Sequence, residues 1–132
     1  MAAELKPDTL VVISPHAVMY ADYFHVSPGK EARGDFGRFM APQIGVEAGY
    51  DEAFVRELDR LCGDDDFPMG TEGEREKELD HGTLVPLYFI NQHYRDYKLV
   101  RIGGSGLSFA DHYRAGRYIA RAAENLGRSV FI

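Results

Sequence analysis

Three apolar, β-branched runs at positions 9–13, 97–102 and 128–132 predict the central strands of a sheet. The first run, Thr-Leu-Val-Val-Ile, has no polar alternation, which is typical of a strand covered on both faces. It ends at Ser14-Pro15, because proline lacks the N–H that a central strand needs. The chain therefore leaves the sheet just before His16.

Helices are predicted between these runs, where apolar residues recur at the helical period and capping residues stand at the ends. The predicted helices cover 51–61 with Asp51 as cap and Gly63 as stop, 82–94 with Asp80 near the start, and 108–126 with Ser108 as cap and Gly127 as stop. Residues 1–6 are typical of a helix end that Pro7 stops.

The stretch from 15 to 49 is rich in glycine and proline and is expected to be irregular, with short strands at 23–26 and 43–46. The alternation of strands and helices predicts an α/β fold over 1–132. We expect a single three-layer domain with a central, mostly parallel or mixed sheet flanked by helices. The sequence begins with a predicted helix end and finishes within a predicted apolar strand. We therefore expect this chain to be part of a larger folded unit.

Composition excludes several classes of function. The 132 residues carry a net charge of −6, which argues against general nucleic-acid binding. The single cysteine, Cys62, allows no internal disulfide and fits a reducing cytoplasm, and its place on a helical apolar stripe predicts core packing. No apolar run has the length of a membrane span, so no membrane contact is expected.

Two histidines at the ends of predicted elements are the main candidates for chemistry. His16 follows the first strand, at the edge where open α/β sheets keep their ligand sites. His81 stands in Asp80-His81-Gly82, at a loop-to-helix junction. Neutral imidazole commonly binds divalent metals, and Asp22 is a candidate further ligand or acceptor for His16. Asp80 orients His81 or caps the helix, and the cap is the favoured interpretation.

Other patterns give weaker signals. His25, His93 and His112 are weaker candidates, and a packing or surface role is favoured for His112, beside Tyr113 on a predicted helix. No local spacing of histidines or cysteines indicates a metal site. The glycine turn at 103–106 lacks the lysine of a phosphate-binding loop, so a plain strand-to-helix turn is favoured. The absence of a Gly-x-Ser-x-Gly elbow argues against a serine hydrolase.

Several of these segments resemble one known family. The segment from Lys6 to His16, its continuation from Met19 to Phe24, and the Asp-His-Gly-x-x-x-Pro-Leu pattern at 80–87 resemble class III extradiol ring-cleavage dioxygenases, the family of the LigB-type catalytic subunit. The stretch from Arg101 into the last helix fits as well. The likeness is strongest to the branch of AmmeMemoRadiSam and Memo-like proteins and spans nearly the whole chain.

The resemblance implies a partial extradiol dioxygenase domain at 1–132. His16 would be one of two histidine ligands of Fe(II), with zinc as the alternative metal, and His81 would be the active-site histidine that steers dioxygen or moves protons. Tyr20, Asp22 and Asp80 would support these groups, and the substrate would be a small aromatic diol. The family's other ligand histidine, its ligand carboxylate and a further acid/base histidine have no matching position in this chain.

Two other hypotheses remain open. A Memo-like relative without catalysis would use the pocket to bind a metal, a small molecule or a protein. Alternatively, the chain is a stable piece that associates with a copy of itself or a partner chain through the strand at 130–132.

Overall fold

In a computed structural model, the chain is described over residues 6–17, 19–37, 40–74 and 77–132. A parallel three-stranded sheet stands at its centre, with β1 (Thr9–Ser14) between β6 (Lys98–Gly103) and β7 (Val130–Phe131). Thr9 pairs with Lys98 on one side and with Val130 on the other. The predicted strands near positions 10, 99 and 130 therefore do form one sheet.

The two faces of the sheet are covered by different elements. Helices α1 (Glu52–Asp64) and α3 (Phe109–Leu126) cover one face, where Val11, Val100 and Ile102 join their apolar side chains in one core cluster. Helix α2 (His81–Ile90) and a β-hairpin cover the other face, around Leu10 and Leu99. This arrangement confirms the expected α/β fold with helices on both faces of the sheet.

The helix caps agree with the sequence prediction, whereas two helix ends do not. Asp51, Asp80 and Ser108 cap the three helices, and Gly127 ends the last one with a φ of 64°. The first helix runs past Gly63 to Asp64, because an exposed glycine with open space around it can stay helical. The second ends at Ile90 instead of 94, where the chain turns back and two N–H groups share the Ile90 carbonyl.

A β-hairpin in the stretch predicted to be mostly irregular is the main difference from expectation. Strands β3 (Glu31–Phe36) and β4 (Ala41–Gly49) pair antiparallel, whereas only a short strand at 43–46 was expected. The inward positions of β3 carry small residues: Ala32 is buried, and a Cβ on Gly34 would come within 2.7 Å of the Leu79 carbonyl oxygen. Small inward residues give little hydrophobic alternation, so the sequence pattern missed this strand.

Two short strands complete the described elements. The expected strand at 23–26 is β2 (Phe24–His25), which pairs parallel with β5 (Met69–Gly70). Val26 continues from β2 as an antiparallel bridge to Ile102, so this segment lies along the outer side of β6. The expected helix end at 1–6 falls almost wholly outside the described residues. Within them, no helix combines the length and the hydropathy needed to cross a bilayer.

A buried carboxylate joins the amino end of the sheet to α1. Asp51 accepts hydrogen bonds from the Thr9 hydroxyl, the Phe54 N–H and the Arg128 guanidinium. Burial alone would raise the pKa of Asp51, but these hydrogen bonds together outweigh it and hold the pKa below its usual range. The carboxylate is therefore charged at neutral pH and links β1, α1 and the segment leading to β7.

Asp51→Asn is expected to lower the free energy of unfolding by about 1–2 kcal/mol at pH 7, because the charge-assisted bonds are weakened while the cap is kept. The folded pKa lies below the unfolded one, so this stabilisation is present above the unfolded pKa and disappears as pH falls through the folded pKa. Urea unfolding should show the two proteins converging below about pH 4. An equal difference at pH 3 and pH 7 would contradict the ionic role, and exposed Asp66→Asn is the control.

Candidate functional site

The candidate site lies at the carboxyl edge of the parallel sheet. β1 ends at Ser14 and β6 ends at Gly103, which are register partners, so both strands finish at the same level. His16 follows two residues after Ser14, and α2 begins with His81. A strand end and a helix start thus bring together residues 65 positions apart in sequence.

The Asp80 carboxylate fixes the start of α2 against the sheet. It accepts hydrogen bonds from the backbone N–H and the hydroxyl of Thr83, at 3.2 and 2.9 Å, which confirms the predicted cap. It also accepts a 2.5 Å hydrogen bond from the Ser14 hydroxyl. The Nε of Arg101, on β6, lies 3.2 Å from the same carboxylate. Asp80 therefore ties α2 to both β1 and β6.

The electrostatics of this cluster keep Asp80 charged. Burial alone would raise the pKa of Asp80, but the hydrogen bonds from Ser14 and Thr83 and the charge of Arg101 hold it below its usual range. Arg101 is 1% exposed and Asp80 has little contact with solvent, so they form a buried ion pair. Removing either partner alone would leave a buried charge uncompensated.

The two candidate histidines touch each other. The ring centroids of His16 and His81 lie 3.9 Å apart, with the ring planes tilted by 37°. The Ser14 hydroxyl links the two segments that carry these rings. It donates a hydrogen bond to Asp80, next to His81, and accepts one from the backbone N–H of His16 at 3.1 Å. His16 is exposed and His81 is partly buried, so the pair lies at the rim of the site.

The glycine of the Asp-His-Gly segment allows this close approach. A Cβ on Gly82 would collide with the Ser14 hydroxyl and would lie 3.0 Å from His16 Cδ2 and from Asp80 Oδ2. A side chain at this position would push the first turn of α2 away from the strand end. Gly82 is therefore required by packing.

Tyr20 and Asp22 lie four and six positions after His16 in the sequence. Both line an open cavity of about 400 Å³ with Tyr23, Glu72 and Gly73, and neither His16 nor His81 is part of its lining. The Tyr20 hydroxyl donates to the Gly73 carbonyl at 2.6 Å. A supporting role of Tyr20 and Asp22 toward His16 stays a prediction.

The remaining histidines differ in their surroundings. His93 and His112 are both exposed, and His112 contacts the Ser108 carbonyl through Nδ1 and the Phe24 ring edge-on. His25 is only 2% exposed, and sequence reasoning gave it little weight. Arg101 was also missed as a site residue, although a charge inside the run Leu-Val-Arg-Ile is a usable signal.

The whole chain is similar to one known protein family. A model described as the catalytic LigB subunit of aromatic ring-opening dioxygenase matches residues 1–132. The chain belongs to this LigB family. Protein CA_C1420 of Clostridium acetobutylicum is 34% identical over 134 residues, an alignment that covers 96% of this chain and 29% of that protein. The chain thus spans less than a third of the relative's length.

As a member of the LigB family, the chain is a dioxygenase-type domain. LigB dioxygenases generally use a metal such as iron. Over the described ranges, no three His, Cys, Asp or Glu side chains form a group that could hold an ion. The described part of this LigB chain offers the imidazoles of His16 and His81, whereas the Asp80 oxygens are already occupied by protein donors.

Gly82→Ala is expected to destabilise the protein by about 1–3 kcal/mol, because the new methyl group overlaps the Ser14 hydroxyl. Gly116→Ala is the matched control: this glycine lies inside α3 with nothing within 4 Å of a Cβ. That change should be neutral or stabilise by up to about 1 kcal/mol. Urea unfolding measures both, and an unaffected Gly82→Ala protein would show that α2 does not press on the strand end.

Proposed function

We propose that this chain forms part of an extradiol dioxygenase site that opens catecholic rings with dioxygen. In this proposal His16 is a ligand of Fe(II), and His81 accepts a proton from the diol. The observation that carries the proposal is the 3.9 Å contact between the two imidazole rings at the carboxyl edge of the sheet, in a chain of the LigB family.

The donor chemistry fits a divalent transition metal only in part. Imidazole suits Fe(II) and zinc alike, and His16 presents its ring at the surface. A mononuclear oxygenase site uses two histidines and a carboxylate, and the described residues supply no such group of three. Iron(II), when bound, would orient diol and dioxygen and let electrons pass between them.

The chain's own contribution is the placement of a proton acceptor. Imidazole exchanges protons near neutral pH, which suits it to remove a phenolic proton during catalysis. His81 stands on the first turn of α2, which Asp80 anchors to Ser14 and Arg101. An acceptor fixed in this way keeps its distance to the neighbouring His16 ring, and a fixed distance favours proton transfer.

His81→Gln is expected to slow turnover at least 100-fold while changing iron affinity less than threefold, because the ring nitrogen that takes the proton is lost. The assay measures dioxygen uptake with a panel of catechols after anaerobic iron loading, on protein expressed at the length that its native cells produce. Exposed His93→Gln is the control. Equal loss of iron binding and turnover in His81→Gln would contradict the proton-transfer role.

His16→Gln is expected to lower bound iron well below one equivalent, because the proposed imidazole ligand is removed. Iron content after desalting, measured beside zinc content, checks this and shows which metal the protein prefers. Stoichiometric iron in His16→Gln would reject His16 as a ligand.

A non-catalytic, Memo-like binding module is the second candidate. It is favoured by the lack, over the described residues, of three grouped ligands. Such a module would bind a metal, a small aromatic ligand or a partner chain without consuming dioxygen. Iron-loaded protein that binds catechol but takes up no dioxygen would support this candidate over the dioxygenase.

A further inference from the structure

The buried Arg101 has more hydrogen-bonding capacity than its surroundings use. Its Nε lies near Asp80, but the N–H is not directed for a hydrogen bond, and Nη1 has no hydrogen-bond partner among the described residues. Buried donors are nearly always paired, because an unpaired buried donor loses its hydrogen bonds to water without replacement. A guanidinium that is 1% exposed therefore points to a further acceptor.

The strand register brings His25 to the same face of the sheet as Arg101. Val26 is the antiparallel partner of Ile102, and the Ser27 N–H donates to the Arg101 carbonyl at 2.9 Å. Val26 faces the core cluster of α1 and α3, so its neighbour His25 faces the opposite side, where Arg101 lies. His25 is opposite Gly103, which has no side chain, and is diagonal to Arg101.

One nitrogen of the buried His25 ring has no hydrogen-bond partner among the described residues. Burial lowers the pKa of His25 and keeps the ring neutral, against a smaller opposing contribution from the Thr71 backbone. The nitrogen without a partner is Nε2, and we therefore assign the proton of the neutral ring to Nδ1, the nitrogen left to face the Thr71 backbone. Nε2 then carries a lone pair and needs a donor.

Among the residues that the structure describes, no neighbouring side chain supplies that donor. Tyr20 packs edge-on toward His25 with ring centroids 6.3 Å apart, but its hydroxyl proton goes to the Gly73 carbonyl. Glu74 and Arg101 are the charged groups that act on the His25 ring, and a carboxylate has no proton to give. Arg101 Nη1 thus lacks an acceptor and His25 Nε2 lacks a donor, and both side chains lie on one face of the sheet.

We propose that His25 Nε2 and Arg101 Nη1 together form a subsite for one hydroxyl group, which donates to the imidazole and accepts from the guanidinium. A hydroxyl is the group that satisfies both at once, because it has one proton and two lone pairs. Two sources share this chemistry: a buried water molecule and a phenolic hydroxyl of a bound catechol. The first source is independent of the proposed dioxygenase function, and the second rests on it.

The test is the ¹⁵N spectrum of the histidine rings in the unmodified protein, recorded without ligand and with catechol as the probe. The subsite predicts an Nδ1–H tautomer of His25 whose Nε2 resonance is shifted from the position of an unbonded acceptor. A shift already present without catechol identifies water, and a shift that appears only with catechol identifies the phenolic hydroxyl. A protonated Nε2, or an unbonded Nε2 in both samples, overturns the proposal.

Two variants test whether the shifted Nε2 resonance comes from His25 and depends on Arg101. His25→Phe removes the assigned resonance and, if the hydroxyl is phenolic, should weaken catechol binding about tenfold. Arg101→Lys keeps a positive charge near Asp80 but loses the second nitrogen, so the His25 Nε2 resonance should move toward the unbonded position. An unmoved resonance in folded Arg101→Lys contradicts the shared hydroxyl. If His25 Nε2 is hydrogen-bonded but the protein takes up no dioxygen, the dioxygenase function is rejected and the hydroxyl subsite stands.

Discussion

One buried carboxylate, that of Asp80, determines how the carboxyl edge of the sheet is built. It caps α2 through Thr83, accepts the hydroxyl of Ser14 at the end of β1 and lies 3.2 Å from the Arg101 guanidinium on β6. Charges are rarely buried without compensation, because desolvation costs several kcal/mol for each ion. The compensation here comes from three separate elements, so the carboxylate holds them in one arrangement.

The candidate site follows from that arrangement. α2 starts directly after Asp80, so its first residue, His81, is carried to the strand end, where the chain has just placed His16. Gly82 lets the helix approach closely enough for the two rings to touch. A second carboxylate, Asp51, anchors the opposite end of β1 to α1. The strand is thus fixed at both ends, which favours a site with constant distances.

Sequence reasoning predicts the parts of this chain that have strong local signals. The helix caps at Asp80 and Ser108 and the strand end before Pro15 depend on a few neighbouring residues, and the structure agrees with all three. Pairing between distant segments has no such signal. The hairpin was missed because its inward residues are small, and His25 was undervalued because only the pairing of Val26 with Ile102 brings it to Arg101.

In this structure Asp80 holds His81 against His16. The most direct measurement is the nuclear Overhauser contact between the ring protons of these two histidines, compared in the unmodified protein and in Asp80→Asn. We expect a strong contact in the unmodified protein, because the ring centroids are 3.9 Å apart, and its loss in an Asp80→Asn protein that stays folded. An undiminished contact in folded Asp80→Asn would show that the carboxylate does not position the pair.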